Sequence, residues 1–285
     1  MRCSSNSATR DIKPMTLGRA SLLTVFIAGF LAEAGVIGAH DGLLLPMVGF
    51  RVFLLSFIVA IFGVFLGLLG IIRASGGDRL RRGAATGLAL GALIALSLGF
   101  ALMRLGSIRF TGLNDVTTNF QDPPHFVNPP GGSAASMEYD RLRLEPIQQR
   151  YYPGLGPLLL SESADDAFVS VKQAANVPRF AGMEIARQVP SMPGWFIVFV
   201  DPKTRTIEGV ETSFLFRFSE DFVIQVRPGT GPKTSLVEMR SRSRNRVGDF
   251  AANYNRIVDF LGLVKSHAGT AADSAKSVLN ISQTK

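Results

Sequence analysis

The chain has 285 residues, of which 47% are hydrophobic and only 18% are charged, and its formal net charge is +8. This length accommodates a membrane region and one ordinary domain but excludes two large soluble domains. Residues 1–104 carry ten Lys or Arg against four acids, whereas residues 105–285 carry twenty against eighteen. Because nucleic acids are bound by clustered cations, the nearly neutral second part is not expected to bind DNA or RNA.

Three hydrophobic segments predict a membrane region over residues 17–105, preceded by a cytoplasmic segment, residues 1–16. Each segment matches the roughly 20 residues that cross the hydrocarbon core of a bilayer. The first contains Arg19 and Glu33, so a cleaved signal peptide is the alternative to a retained helix there. The predicted transmembrane helices cover residues 17–39, 52–72 and 84–103.

The positions of the cations predict the orientation of these helices, because short cytoplasmic loops are enriched in Lys and Arg. Four cations lie before or at the start of the first helix and four lie between the second and third, namely Arg2, Arg10, Lys13, Arg19, Arg73, Arg79, Arg81 and Arg82. Both basic segments are therefore predicted to face the cytoplasm, and residue 105 onward is predicted to lie outside. In a bacterium this predicts a multi-pass protein of the inner (cytoplasmic) membrane with a periplasmic C-terminal domain.

Glycines four residues apart form ridges on two of the predicted helices. Gly63 and Gly67 lie on the second, and Gly83, Gly87 and Gly91 lie on the third. Such ridges let helix backbones approach closely in lipid. They predict either packing of these helices within one chain or a homo-oligomer.

Residues 106–162 are rich in proline and glycine, with Pro123-Pro124, Pro129-Pro130-Gly131-Gly132 and Pro153-Gly154 among them. Because these residues interrupt helices and strands, we predict an extended, irregular segment that packs on the domain after it.

Residues 163–265 have the pattern of an α+β domain, in which a helix precedes and another follows a five-stranded antiparallel meander. Ser163 and Asp166 resemble a helix-capping box. Alternating apolar and polar residues then predict strands near residues 183–189, 195–200, 207–218, 222–227 and 234–243.

The third strand is predicted to carry Phe214, Phe216 and Phe218 on one face and to end in a turn at residues 219–221. A closing helix is predicted to start at Asp249 and to cover the apolar face of the sheet. Residues 266–285 are predicted to be a disordered tail.

Arginine alternates with serine in Arg240-Ser241-Arg242-Ser243-Arg244, a segment that the alternation places on a strand. Alternate residues of a strand share a face, so these arginines are predicted to lie together. They indicate either a site for an anionic ligand or ion pairs with acids of the same domain. The acids considered for such pairs are Glu208, Glu211, Asp249 and Asp259.

Asp115 lies among residues whose side chains bond local backbone. It is interpreted either as a catalytic acid or as part of a turn that fixes the extended segment to the domain. His125 is the only histidine of the predicted folded domain. One imidazole cannot assemble the three or four ligands that zinc needs, so no metal site is expected.

Two stretches resemble a bacterial family called domain of unknown function 1499. The first is Gly112-Leu113-Asn114-Asp115-Val116-Thr117-Thr118 followed by Asp122-Pro123-Pro124-His125-Phe126. The second is the arginine run, Arg240-Ser241-Arg242-Ser243-Arg244, followed by Val247-Gly248-Asp249, Asn253 and Arg256-Ile257. The resemblance spans roughly residues 111–263. It implies an envelope protein, often with membrane helices ahead of the domain, and brings no established activity or catalytic residues.

Residues of these two stretches supply the candidate sites. The structural motif is predicted to comprise Asn114, Asp115, Thr117, Pro124, Gly248 and Asp249. The predicted ligand-binding residues are Arg240, Arg242, Arg244, Asn253 and Arg256.

Two functions are compatible with these patterns. The favoured hypothesis is a non-catalytic module, anchored in membrane lipid, that binds an anionic or amphipathic ligand or an envelope protein. The alternative is a hydrolase-like enzyme in which Asp115 or Asp249 acts as a general base. No cofactor is expected under either hypothesis.

Overall fold

The computed structural model describes residues 16–73, 78–104, 112–127, 137–176, 194–244 and 251–283. The chain divides into two compact units. One comprises residues 1–44 and 48–101, and the other comprises residues 45–47 and 102–285. We call the first the membrane unit and the second the C-terminal domain.

The membrane unit contains three long helices in its described part, α1 (Leu17–His40), α2 (Pro46–Arg73) and α3 (Asp78–Arg104). All three are long and apolar enough to cross a membrane, with mean hydropathies of 2.0, 2.9 and 1.8 over their most apolar windows. The predicted three apolar N-terminal helices are therefore confirmed.

Small residues bring the backbones of these helices together. A Cβ added at Gly67 of α2 would lie 2.8 Å from the backbone nitrogen of Leu88 in α3. One added at Gly87 of α3 would meet the hydroxyl of Ser21 in α1. Ser21 Oγ also donates a hydrogen bond of 2.8 Å to the carbonyl of Gly63. This geometry favours packing within one chain as the role of the glycine ridges.

The C-terminal domain is built on an antiparallel sheet that has six strands within the described residues. The strands are β1 (Asp115–Thr117), β2 (Leu158–Leu160), β3 (Gly194–Asp201), β4 (Thr206–Thr212), β5 (Ser219–Pro228) and β6 (Ser235–Ser243). Strands β3 to β6 form a meander in chain order, and both β1 and β2 pair with β6. The predicted antiparallel α+β layout is confirmed.

Two helices cover one face of this sheet, α5 (Ala164–Asn176) and α6 (Ala252–Gln283). Their apolar stripes pack on alternate residues of the central strands, and Ile207, Phe222, Ile224, Met239, Ile257 and Phe260 are almost completely buried. The ring of Trp195 stacks on Phe222 at 3.7 Å between centroids. Ser163 caps α5 as predicted, since its Oγ accepts the Asp166 N–H at 3.2 Å.

Part of the opposite face is covered by residues from the segment predicted to be irregular. Phe126 and Met137 are buried against Val223 of β5. The short helix α4 (Arg141–Tyr151) follows, and Asp140 caps it by accepting the Arg143 N–H at 3.3 Å.

The prediction for residues 106–162 was therefore wrong where the structure places β1, α4 and β2. The proline and glycine residues cluster on either side of residues 141–151 and leave only Pro146 inside α4. Each of the two strands has three residues, which is too few to show a period of two.

The prediction of one strand over residues 207–218 was also wrong. β4 ends at Thr212, and the predicted turn residues Ser219, Glu220 and Asp221 instead begin β5. The reversal occurs over residues 213–218, where the Ser213 N–H bonds the Phe218 carbonyl at 2.8 Å. Arg217 adopts a left-handed φ of 57°, which gives the chain its change of direction without glycine.

The helix α6 continues to Gln283, so the part of the predicted tail before residue 284 is helical. The predicted strand at residues 183–189 and the predicted helix start at Asp249 lie outside the described residues.

Candidate functional site

The arginine run occupies the C-terminal half of β6, between β1 on one side and β5 on the other. Its alternation puts Arg240 and Arg242 on one face and Ser241 and Ser243 on the face that α6 covers. The pairing register places Asp115 of β1 and Asp221 of β5 directly beside Arg242. We call Asp115, Asp221, Arg240, Arg242 and Arg244 the arginine cluster.

Arg240 is completely buried and pairs with Asp115. Its Nε and Nη2 donate to the two carboxylate oxygens at 2.9 and 2.8 Å, and Nη2 also donates to the Met137 carbonyl at 2.6 Å. The rings of Phe126 and Tyr139 each lie 5.3 Å from its guanidinium carbon. The pair and its neighbours therefore fix Asp115, Phe126, Met137 and Tyr139 to the sheet.

Asp115 is an unsuitable general base in this arrangement. Both of its oxygens accept hydrogen bonds from Arg240, and only 4% of its side chain is exposed. Burial raises the pKa of Asp115, while the hydrogen bonds and charge of Arg240 oppose that rise. The geometry favours the interpretation that Asp115 fixes the extended segment to the domain.

Neighbouring motif residues contribute to the same attachment. The Asn114 carbonyl accepts the Ser243 N–H at 2.8 Å. The buried Gln148 of α4 bonds both backbone groups of Thr117, accepting at 3.1 Å and donating at 2.7 Å. The Pro124 carbonyl accepts from Arg240 Nη1 at 3.5 Å. Gly248 and Asp249 lie outside the described residues.

Arg244 and Arg242 lie nearer the surface. Arg244 donates to both oxygens of Asp221, with its shortest contact at 2.7 Å, and 40% of its side chain is exposed. Burial raises the pKa of Asp221, and the hydrogen bonds from Arg244 oppose that rise. Arg242 lies 3.9 Å from Asp115 and 3.0 Å from the Met137 sulfur, with 22% of its side chain exposed.

The charges of the arginine cluster do not cancel. Three guanidinium groups face two carboxylates, and the two buried carboxylates are engaged mainly by Arg240 and Arg244. The guanidinium group of arginine is a permanent cation in proteins. Among the described residues, the five side chains that define the arginine cluster sum to a charge of +1, and Arg242 and Arg244 are its partly exposed members.

The other two predicted ligand-binding residues lie on the opposite face of the sheet. Arg256 of α6 donates to Ser241 Oγ at 2.8 Å and to Asn253 Oδ1 at 2.9 Å, and it pairs with Glu211 and Glu220. Burial alone would lower the pKa of Arg256, but the two carboxylates raise it. We call Glu211, Glu220, Ser241, Asn253 and Arg256 the helix-side network.

The structure thus divides the predicted ligand-binding residues into two groups. Arg240, Arg242 and Arg244 share one cluster, whereas Asn253 and Arg256 are buried between β6 and α6. The acids that pair with them are Asp115, Asp221, Glu211 and Glu220, of which only Glu211 was among the acids considered for pairing. Asp221 and Glu220 were missed because that segment was assigned to a turn.

Among the residues that the structure describes, no group of three or more His, Cys, Asp or Glu side chains is arranged to hold a metal ion. His125 is exposed and lies 3.6 Å from Asp122.

Comparisons with known proteins identify one family. The model of a family described as "Protein of unknown function (DUF1499)" matches residues 115–263, which is just over half of the chain. No curated protein matches significantly. A solved structure described as the crystal structure of the di-domain ARO/CYC BexL from the BE-7585A biosynthetic pathway is 16% identical, with a TM-score of 0.27. The similarity covers 40% of this chain and 45% of that chain, and at this score it does not indicate a shared fold.

Proposed function

The chain belongs to the DUF1499 family, and we propose that it is a membrane-anchored envelope protein whose C-terminal domain binds an anionic group without catalysing a reaction. Three apolar helices supply the anchor. The arginine cluster supplies the binding site, and Arg242 and Arg244 are the residues that contact the anion.

We place the C-terminal domain on the outer, periplasmic side of a bacterial inner membrane. Cations precede α1, and four more lie at the end of α2 and the start of α3, namely Arg73, Arg79, Arg81 and Arg82, which supports a cytoplasmic location for both segments. Reporter fusions after Met103 and after Lys285 test this orientation. Alkaline phosphatase is expected to be active at both points, and fluorescence of green fluorescent protein at either point would contradict it.

The partial exposure of two neighbouring guanidinium groups, those of Arg242 and Arg244, is the observation that carries the binding proposal. The side chains of Arg242 and Arg244 are 22% and 40% exposed, so an anion in solution can reach both guanidinium groups. Arginine presents its donors in a planar fork that suits phosphate and carboxylate oxygens. A phosphate headgroup of a lipid and a free phosphate offer the same oxygens, so both are sources of the proposed ligand.

Retention of lipid by the purified full-length protein tests the proposal. Wild type and Arg242→Ala are compared by native mass spectrometry in non-ionic detergent, with added phosphatidylglycerol, phosphatidylcholine or inorganic phosphate. A hydrogen bond to a charged group contributes about 1.5–3 kcal/mol, so Arg242→Ala is expected to weaken binding of the anion about tenfold or more. If Arg242→Ala loses binding of phosphatidylglycerol alone, the ligand is a lipid headgroup. If it loses binding of inorganic phosphate, the ligand is a free anion.

Lys172→Ala is the matched control, because Lys172 is an exposed cation of α5 on the opposite face of the sheet. It is expected to bind like the wild type. Emission from Trp195, the only tryptophan of the chain, shows whether each variant keeps its fold. Equal binding by correctly folded wild type and Arg242→Ala contradicts the proposal.

A further inference from the structure

The membrane unit contains an open cavity of about 620 Å³ between α2 and α3. It is lined by Ile71 of α2 and by Arg81, Arg82 and Ala85 of α3. Two cationic and two apolar side chains therefore border the same space. We call this space the interhelical cavity, and all of its lining residues belong to the membrane unit.

The packing of α2 on α3 explains where the interhelical cavity forms. A Cβ added at Gly70 would lie 2.9 Å from the Cβ of Ala84, so the two helices approach closely at this level. Ile71 and Ala85 are the next residues along each helix and flank that contact. Arg81 precedes Ala85 by four residues and shares its face of α3. The short side chain of Ala85 leaves space on that face.

The interhelical cavity lies at the boundary of an apolar span. The apolar window of α3 comprises the 20 residues Arg81–Phe100. At a rise of about 1.5 Å per residue this length is close to the 30 Å thickness of a hydrocarbon core. A helix that crosses a bilayer with this window has Arg81 at the depth of the lipid headgroups. Ala85 lies about 6 Å further into the span, where the acyl chains begin.

Other cations lie at the same helix ends. Arg19 is exposed at the start of α1 and Arg73 is exposed at the end of α2. The start of α1 belongs to this end of the unit, because a Cβ added at Gly18 would lie 2.9 Å from the backbone nitrogen of Ala84. These charges favour a headgroup with a net negative charge over a zwitterionic one, whose own cation they would repel.

We propose that the interhelical cavity binds one anionic phospholipid. Its phosphate accepts hydrogen bonds from Arg81, and its acyl chains begin beside Ile71 and Ala85. The planar donor fork of arginine suits the free oxygens of the phosphate, and basic pockets between membrane helices have the chemistry to hold such headgroups. This proposal rests on the membrane anchor of the proposed function but not on anion binding by the arginine cluster.

Native mass spectrometry of the full-length protein in non-ionic detergent tests the proposal, because it counts the lipids bound to each molecule. Every sample carries Arg242→Ala, so that binding at the arginine cluster is weakened throughout. Adding Arg81→Gln is expected to weaken binding of phosphatidylglycerol about tenfold, as the loss of a hydrogen bond from a charged group implies. Arg51→Gln is the matched control and is expected to have no effect, because Arg51 is an exposed cation near the opposite end of α2.

A further variant, Ala85→Phe, tests whether the cavity itself is needed. It keeps both arginines but fills the space that they share, so it is expected to weaken binding of phosphatidylglycerol several-fold. Far-UV circular dichroism and a single peak in gel filtration show that each variant keeps its helices.

Three results would overturn the proposal. The first is equal binding of phosphatidylglycerol with and without Arg81→Gln. The second is full binding by Ala85→Phe, which would assign the lipid to the general charge of the helix ends. The third is equal affinity of the Arg242→Ala protein for phosphatidylglycerol and phosphatidylcholine.

The outcome is separable from that of the anion-binding proposal. A tenfold loss caused by Arg81→Gln supports the interhelical cavity whether or not Arg242→Ala itself changes binding. If Arg242→Ala binds phosphatidylglycerol and inorganic phosphate like the wild type, and Arg81→Gln weakens binding of the lipid, only the site at the arginine cluster is rejected.

Discussion

Removing Asp115 is expected to destabilise the C-terminal domain strongly because it leaves Arg240 without its counter-charge. Arg240 is 0% exposed, so water cannot replace the two lost hydrogen bonds while the domain stays closed. The Met137 and Pro124 carbonyls and the two rings remain as partners. Removing one member of a buried pair costs about 3–5 kcal/mol, a large share of the 5–15 kcal/mol typical of a domain.

Urea unfolding of the full-length protein in detergent measures this cost. Trp195 is the only tryptophan and stacks on Phe222 and Phe260 in the core of the C-terminal domain, so its fluorescence reports unfolding of that domain. Asp115→Ala is compared with Asp165→Ala, which removes the partner of Arg205 in a surface ion pair. The control is expected to lose at most about 1 kcal/mol.

The double variant Asp115→Ala/Arg240→Met distinguishes two causes of the lost stability, the burial of an unpaired charge and the loss of the attraction within the pair. Since it buries no unpaired charge, it is expected to be more stable than Asp115→Ala alone. The reasoning is refuted if Asp115→Ala unfolds like the surface control, or if the double variant is as unstable as the single one.

Three further predictions use the same preparation. Gly209→Ala is expected to lower the free energy of unfolding in urea by about 1–3 kcal/mol, because its Cβ would meet the ring of Phe222 and the carbonyl of Phe196. Gly156→Ala is its control, since a Cβ there meets nothing within 4 Å. Gly67→Ala is expected to lower the temperature of heat-induced aggregation in detergent, since its Cβ would lie 2.8 Å from the backbone of Leu88. Gly83→Ala is its control and is expected to leave that temperature unchanged, because a Cβ there meets nothing within 4 Å. Burial and the charge of Asp166 raise the pKa of Glu162, so its ionisation opposes folding as the pH rises above about 4.3. Glu162→Gln is therefore expected to stabilise the domain at neutral pH by less than about 1 kcal/mol after solvent screening, and a gain that persists unchanged at pH 4 would contradict this.

The elements that the sequence predicted are those in which one apolar face repeats over several residues. Strands β3, β5 and β6 and the helices α5 and α6 each bury one face against the same core, and this burial creates the periods of 2 and 3.6. β1 and β2 are too short for any period. α4 has few buried residues and an internal proline, so its pattern was weak.

Local sequence patterns could not identify the acids that pair with the arginines. Arg240 lies 125 residues from Asp115 in the sequence, and Gln148 lies 31 residues from Thr117. The alternation in β6 correctly indicated that the arginines share a face, but the acids on that face depend on which strands pair with β6. The reversal at residues 213–218 was missed for a related reason, because the alternation of apolar residues continues past Thr212 although the strand does not.

The buried Asp115–Arg240 pair also has a role that stability alone does not measure. β1 has three residues, and a slip of one residue would turn Asp115 toward the apolar core and Val116 away from it. We expect the pair to specify this register, as a hypothesis that the double variant tests. If Asp115→Ala/Arg240→Met keeps its stability, amide hydrogen exchange at Val116 and Thr118 is expected to become faster, while exchange in β5 stays slow. Unchanged exchange at both residues would show that Gln148 and the backbone pairing with β6 suffice to hold β1 in place.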